Sequence, residues 1–397
     1  MLKLFGYEFK KNIFKISLLV LLLSLCIVNL YKHMETVRYY GTNGYTITMM
    51  GERPLGENMY NHFKGELTSE KINDMIAYQK KMEELIASGK YVQTETYDEF
   101  FSGYLYGDRN CIRMIIDEEV KYAYLYPNTM IELRQKSDEY IDFYKDINPY
   151  EAKKGELIKN ASYNRSIPVY GRYDAFSLFL DYEFSAFIIV ILLIFVFSST
   201  YSNEKATGTD RIIKSCGRAG STFIAKQLTM LCFVAGTVIL FTIIDLIGLG
   251  FYYGLEFIEQ PLYAIQDYQF TPLNISIGTA VILSCLFKIF ALAFIGEVII
   301  LISTLTKNTG AAIVLCFGVI GAMIFASPYI PEHLNPFTLI STKKLISDFE
   351  FVNVLGNPVP LYIAAPIITL LLTLILAAVC YIRTSPAKRK AKEVKTV

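Results

Sequence analysis

Few residues of this chain stand where they could do chemistry. Adjacent carboxylates occur at Asp98 and Glu99 and at Asp117, Glu118 and Glu119, the raw material of general acid–base work. Neighbouring acids on a polar segment are ordinarily a solvated face. No H-E-x-x-H, G-x-S-x-G or Cys/His nucleophile arrangement accompanies them, so the chain is not expected to be an enzyme. His33, His62 and His333 share no ligand spacing with one another or with a cysteine pair, which argues against a metal site. Five of the seven cysteines (Cys26, Cys232, Cys285, Cys316 and Cys380) lie in apolar runs, and Cys111 is alone in the long polar segment, so no disulfide framework follows. Two unusual sets remain. Asp245, Lys288 and Glu297 interrupt apolar runs, and the charged, glycine-interrupted insert "YSNEKATGTDRIIKSCGRAG" (201–220) separates two of them.

The elements that must position these residues are membrane spans. The chain has 397 residues, 53% hydrophobic and only 19% charged, too apolar for an ordinary soluble globule. A crossing helix needs about 20 mostly apolar residues; the stretches 13–31, 184–201, 223–252, 275–304, 310–328 and 361–382 qualify. The first follows Lys10, Lys11 and Lys15, but "CIVNLYKHMETV" offers no small-x-small cleavage site, and it reads as a retained anchor. Six spans put both termini on one side. Residues 202–222 hold four basic residues, whereas 254–274 hold none and three acids, so the positive-inside rule makes both termini and the insert cytoplasmic. The basic tail 383–397 agrees, reading as solvated and lipid-facing. The net charge of +1 hides this asymmetry and points to no nucleic acid partner.

Residues 32–183 then form an extracytoplasmic domain, mixed α/β or mostly helical, long enough to fold by itself. Its clearest helix is "LTSEKINDMIAYQKKMEELIASGK", with Thr68 or Ser69 as cap, Ile72, Met75, Ile76, Met82 and Ile86 at helical spacing, and Gly89 as stop. A second helix is expected over 128–146. Between them "CIRMIIDEEVKYAYLY" fits strand or helix. Nineteen of the 29 tyrosines lie in this segment; they suit core filling, and a recognition surface less so.

Within the insert, Thr209 can cap a short helix, Asp210 falls at its positive end, Lys214 in its last turn, and Gly217 can end it. About two turns of helix are marginal in water and need a surface to lie on. Ile212, Ile213 and Cys216 fall in one arc, with Arg211, Lys214 and Arg218 around them. The apolar arc either rests on the chain's own inner surface or is a plug for a cytoplasmic partner.

The stretch "DYEFSAFIIVILLIFVFSSTYSNEKATGTDRIIKSCGRAGSTFIAKQL" resembles the second span and following loop of ABC transporter permeases of the type-2 exporter family. The matching positions are Glu204, Gly208 with Thr209, Ile212 with Ile213, the turn from Ser215 to Arg218, and Lys226. "MLKLFGYEFKKNIFK" is similar to the family's amphipathic elbow, here residues 1–12, "LISTLTKNTGAAIVL" to the turn between spans four and five, and "HLNPFTLI" to the Asn-Pro segment before span six. The resemblance covers residues 1–31 and 184–382, and the domain at 32–183 matches no pattern of the family.

The resemblance implies a subunit of an ATP-driven exporter in a bacterial cytoplasmic membrane, paired with a second copy or a paralogous permease. A coupling loop, 202–222, would dock in a separate ATPase through Glu204, Gly208, Thr209, Arg211, Ile212, Ile213 and Arg218. This chain would hold no cofactor, ATP and Mg belonging to the partner. In agreement, no G-x-x-x-x-G-K phosphate cradle occurs; the only Gly-Lys step, Gly89-Lys90, has Glu84 where the first glycine should be. The alternative is an ABC-linked mechanotransmission subunit that moves its extracytoplasmic domain without cargo, for which four spans would suffice.

An ionised side chain mid-membrane costs about 2.5–3.5 kcal/mol on insertion scales, so Asp245, Lys288 and Glu297 should face a bundle interior or water, as pathway lining or as interhelical ties. Lys288 and Glu297 lie nine residues apart, on opposite faces of one helix; an Asp245–Lys288 pair would need Lys288 to snorkel. "GFYYG" at Gly250–Gly254 suits close helix packing or a dimer seam. The proline-rich run from Pro328 to Pro360 with "STKKLISDF" suits a re-entrant or interfacial excursion, which in the resembled exporters gates the outer exit.

Overall fold

The computed structural model describes residues 2–43, 60–89, 119–216 and 218–385, with Arg109, Arg113 and Ile116. Asp98, Glu99, Cys111, Asp117, Glu118, Gly217 and the tail beyond Ser385 lie outside the described residues. Six helices are long and apolar enough to cross a membrane: Ile16–Val37, Asp174–Ala206, Ala219–Tyr253, Ile277–Leu305, Thr309–Tyr329 and Leu361–Thr384. The chain is thus a mostly helical, multi-pass membrane protein.

The elbow α1 (Leu2–Ile13) is a separate helix, as the sequence suggests. It turns Glu8 and Asn12 inward and leaves Lys3, Tyr7 and Lys10 exposed. The chain breaks at Phe14 and Lys15 before α2 (Ile16–Asn43) carries the first span. Between the first two spans run α3 (Ser69–Ala87), α4 (Lys121–Tyr144) and α5 (Pro149–Ala161). Thr68 caps α3, its hydroxyl accepting from the Lys71 amide at 3.2 Å, and Gly89 follows its end at φ 64°. Met75 and Met82 form its buried stripe, while Ile76, expected inside, is exposed. α4 starts seven residues before the expected 128, because Tyr122 and Tyr126 are packed against Tyr263 and hold the first turns despite Pro127 inside the helix. The ambiguous run before it is helical wherever it is described. The only strand pairing in this segment, among the described residues, is a two-residue antiparallel ladder of β1 (Gly65–Glu66) with β2 (Val169–Tyr170).

The second span is longer than the expected 184–201 and is broken twice, into α6 (Asp174–Asp181), α7 (Phe184–Phe197) and α8 (Ser199–Ala206). α7 is apolar on every side and is the centre of the bundle, as such a helix must be. Leu192, Leu193 and Phe197 pack there against Val234 and Val238 of α10 (Ala219–Tyr253) and Leu292, Ile295 and Ile299 of α11 (Ile277–Leu305). The first span and α12 (Thr309–Ala326) expose most of their apolar side chains, as lipid-facing helices do. In "GFYYG" a Cβ on Gly250 would meet the Leu255 side chain at 2.6 Å, and Gly254 ends α10 at φ 81°.

The proline-rich run makes three short 3-10 turns, the helix α13 (Thr342–Ile346) and a hairpin of β3 (Phe351–Val354) with β4 (Asn357–Pro360), then enters α14 (Leu361–Thr384). Its middle is buried in protein, with Leu339, Leu345 and Ile346 inside and the Thr342 hydroxyl donating to Ser284 of α11 at 2.7 Å, while the start and the tip of the hairpin are exposed. Asn335 orders its entry, accepting from the Phe337 amide at 3.0 Å and donating to the Ser327 hydroxyl at 2.6 Å. The segment between the first two spans rests on this end of the bundle, through Lys64 to Glu256 at 3.2 Å, Tyr126 to the Gln269 carbonyl at 2.8 Å, and Lys153 to Asn357 at 2.7 Å. The elbow, the insert and the end of α14 gather at the opposite end, where Tyr381 meets Phe223 and Arg383 lies beside Glu204.

Candidate functional site

The insert folds into a two-turn helix, α9 (Thr209–Ser215), in the place expected, but the cap differs. Gly208, at φ 75°, is the capping residue; Thr209 is the first helical residue and shares a hydrogen bond with the Thr207 hydroxyl at 2.8 Å. Only glycine takes such a φ cheaply, and the chain can thereby turn sharply from α8 into α9. Asp210 and Lys214 complement the helix dipole and face each other at 3.5 Å. The expected single apolar arc is divided. Ile213 turns inward with Tyr201 and Phe223, whereas Ile212 is 63% exposed, between the exposed Arg211 and Thr209. Cys216 and Arg218 are also exposed, and no residue of α9 is buried.

Beneath α9 lies an ion-pair cluster. Glu204 is buried, and its carboxylate accepts from Lys226 at 2.6 Å and from Lys11 at 3.0 Å. Lys226 donates further to the Thr200 carbonyl at 3.1 Å and lies 3.9 Å over the Tyr201 ring. Lys11 also faces Glu8, at 3.7 Å. Burial opposes its charge, but Glu204 and Glu8 outweigh that, so its ammonium is held above the ordinary lysine range. Ser303 accepts from the amides of Tyr201 and Ser202 at 2.8 and 3.1 Å, and Lys205 donates to the Thr304 carbonyl. α8, from which α9 continues, is therefore tied to the elbow and to the third and fourth spans. Glu204, expected as a coupling residue, serves as this brace and is not on the exposed face.

The intramembrane residues divide between two places. Glu297 accepts from Gln227 at 3.1 Å, near the ion-pair end. Asp245 and Lys288 belong to one buried cluster towards the other end. Asp245 Oδ1 accepts from the Asn29 amide at 2.6 Å and lies 2.9 Å from His33 Nε2. Tyr182 stacks on His33 with ring centres 4.4 Å apart and donates its hydroxyl to Asn29 Oδ1 at 2.9 Å. Lys288 does not snorkel to Asp245; it donates to the Tyr182 carbonyl at 3.1 Å, which the break between α6 and α7 leaves within reach. His33 fits because Gly248 faces it: a Cβ there would lie 3.1 Å from His33 Cδ2. Among the described residues His33 Nδ1 and Asp245 Oδ2 have no hydrogen-bond partner.

Sequence reasoning missed Asn29, His33 and Tyr182. Asn29 and His33 sit four apart on one face of the helix that carries the first span, but ending that span at residue 31 put His33 outside it. Among the described residues no cluster of His, Cys, Asp and Glu could hold a metal ion. The arrangement at α9 offers an exposed apolar side chain among arginines on a stiff mount, suited to transmitting force. The Asp245 cluster ties four helices through one carboxylate and one ammonium. No protein-family model, curated protein or solved structure matches this chain.

Proposed function

We propose that this chain is the permease subunit of an ATP-driven exporter of the ABC type, moved by a separate nucleotide-binding ATPase that carries ATP and Mg. The chain itself is not an enzyme and holds no cofactor. It works with a second copy or a paralogous permease in a bacterial cytoplasmic membrane, with both termini, α9 and the basic tail in the cytosol and the segment between the first two spans, 38–173, outside. The observation that carries the reading is Ile212: a largely exposed isoleucine next to the exposed Arg211, on a short helix that follows directly on α8 and its buried Glu204–Lys226 pair. Full burial of an isoleucine in a partner's cleft is worth about 1.5–3 kcal/mol, and Arg211 and Arg218 can meet carboxylates around it. A pull on α9 passes into the elbow and three spans as a rigid-body motion.

The test is co-purification from the native cell. The tagged chain should bring down an ATP-hydrolysing subunit, and Ile212→Asp should lose it while keeping the thermal midpoint of the isolated chain. Wild-type protein free of any ATPase, or an Ile212→Asp variant that retains it, refutes the reading.

One observation favours the second reading, mechanotransmission without cargo. The segment before the second span is joined to the loops between spans three and four and five and six by Lys64, Tyr126 and Lys153, so movement of those spans carries it along. Deleting residues 40–170 separates the two: a permease keeps its ATPase coupling and a mechanotransmitter loses all output.

A further inference from the structure

Where the chain breaks at Phe14 and Lys15, the elbow and the first span diverge and leave a groove of about 410 Å³. Its walls are apolar, from Ile13, Phe14, Ile16, Leu18, Leu19 and Leu22 on one side and from Leu192 and Phe233 on the other. That volume lies within the usual range of small-molecule sites, roughly 300–1,000 Å³. The rim is basic. Among the described residues Lys3, Lys10 and Lys15 form no ion pair and are exposed, unlike Lys11. The nearby carboxylates do not neutralise them: Glu8 is buried with Asn12 and Lys11, and Glu204 is taken by Lys226 and Lys11. An amphipathic helix followed directly by a membrane span puts this junction at the depth where lipid headgroups meet acyl chains.

We propose that this groove is a binding site for one anionic phospholipid, its acyl chain lying between the elbow and the second and third spans and its phosphate held by Lys15 and Lys10. Charge complementarity selects the headgroup: each lysine at such a surface is worth about fivefold in affinity. The lipid would fill the apolar space beside Leu192 and thus steady the elbow against the span that bears Glu204. This inference does not rest on the transport reading, since lipid occupancy is measured without any ATPase.

The test uses the full chain in liposomes with a phosphatidylglycerol or a phosphatidylcholine carrying a photoreactive group in mid-acyl chain. Cross-links are mapped by peptide mass spectrometry and normalised to the lipid-facing peptide around Phe325, which is 83% exposed. The anionic probe should label residues 13–22 and the peptides of Leu192 and Phe233 at least about fivefold more than the zwitterionic one. Lys10→Gln with Lys15→Gln should abolish that preference. Leu22→Trp, which narrows the groove and leaves the lysines in place, should reduce the excess labelling by the anionic probe and leave the zwitterionic background on the exposed Phe14, Ile16 and Leu19. Equal labelling by the two lipids, or a preference that survives the double lysine variant, overturns the proposal.

Discussion

Glu204→Gln tests whether α9 is braced from within. The substitution keeps the shape and one hydrogen bond but leaves Lys226, almost wholly buried, without its counter-ion at 2.6 Å. Breaking a buried pair on one side costs about 3–5 kcal/mol. The low end applies here, because Lys226 keeps the Thr200 carbonyl at 3.1 Å and the Tyr201 ring at 3.9 Å, and Lys11 is part-exposed and can turn to water. About 3 kcal/mol of local stability corresponds to on the order of a hundredfold in an opening equilibrium, at about 1.4 kcal/mol per factor of ten. Hydrogen–deuterium exchange of the purified chain should therefore show the amides of Thr209–Ser215 and of the elbow exchanging about a hundredfold faster. Peptides around Asp245, at the other end of the third span, should be unchanged. The double variant Glu204→Gln with Lys226→Met should recover much of the protection, since it removes the buried charge together with its partner. The reasoning fails if the single variant exchanges like wild type, or if the double variant is no better protected than the single.

Asp245→Asn keeps hydrogen-bonding capacity beside His33 and Asn29 but removes the carboxylate that acts most strongly on Lys288, leaving Glu183. The thermal midpoint in detergent should fall by an amount equivalent to about 3 kcal/mol, and Lys288→Met in the same chain should restore part of it; no change in Asp245→Asn would contradict the buried charge balance. In the hairpin before the last span, partial burial, Glu332 and Asp348 push the Glu350 carboxyl up to about 7 from an ordinary 4.5. The folded chain then holds this proton where the unfolded chain has lost it, so stability declines as pH rises from 4.5 through 7 and is level on either side. The chain has no tryptophan, so Leu355→Trp, at a residue 98% exposed, supplies a reporter. Its thermal midpoint should be higher at pH 5 than at pH 8, and Glu350→Gln should flatten that difference; equal slopes with and without Glu350 would refute the assignment.

The spans were legible because twenty apolar residues in a row have few other uses, and all six lie where hydropathy puts them. Their ends were not. α6 begins and ends on aspartates, so a hydropathy window stops short of it, although Phe176, Phe179 and Leu180 are buried. The break at Tyr182, between Asp181 and Glu183, reads in hydropathy as the end of the span and not as a break within it, yet it exposes the carbonyl that Lys288 takes; the break at Ser198 leaves no mark on hydropathy. The short helix at Thr209 was readable from Asp210 and Lys214, which are local features; that Gly208 rather than Thr209 caps it depends on the turn from α8. The brace was out of reach, since Lys11 and Glu204 are 193 residues apart and meet only through packing of the elbow on the third span. Nor could periodicity say that Ile212 faces out and Ile213 in, because neighbours on a helix differ by about 100° and the supporting surface decides which is covered.

The central claim is that α9 stands in the cytosol, offering Ile212 to a separate engine. Cys216, exposed one residue beyond α9, reports on it most directly in a variant with the other six cysteines replaced. A membrane-impermeant maleimide should leave Cys216 unmodified in intact cells and modify it once the membrane is opened, with protection returning when the co-purifying ATPase is bound. Modification of Cys216 in intact cells would put the helix on the wrong side of the membrane and end the permease reading.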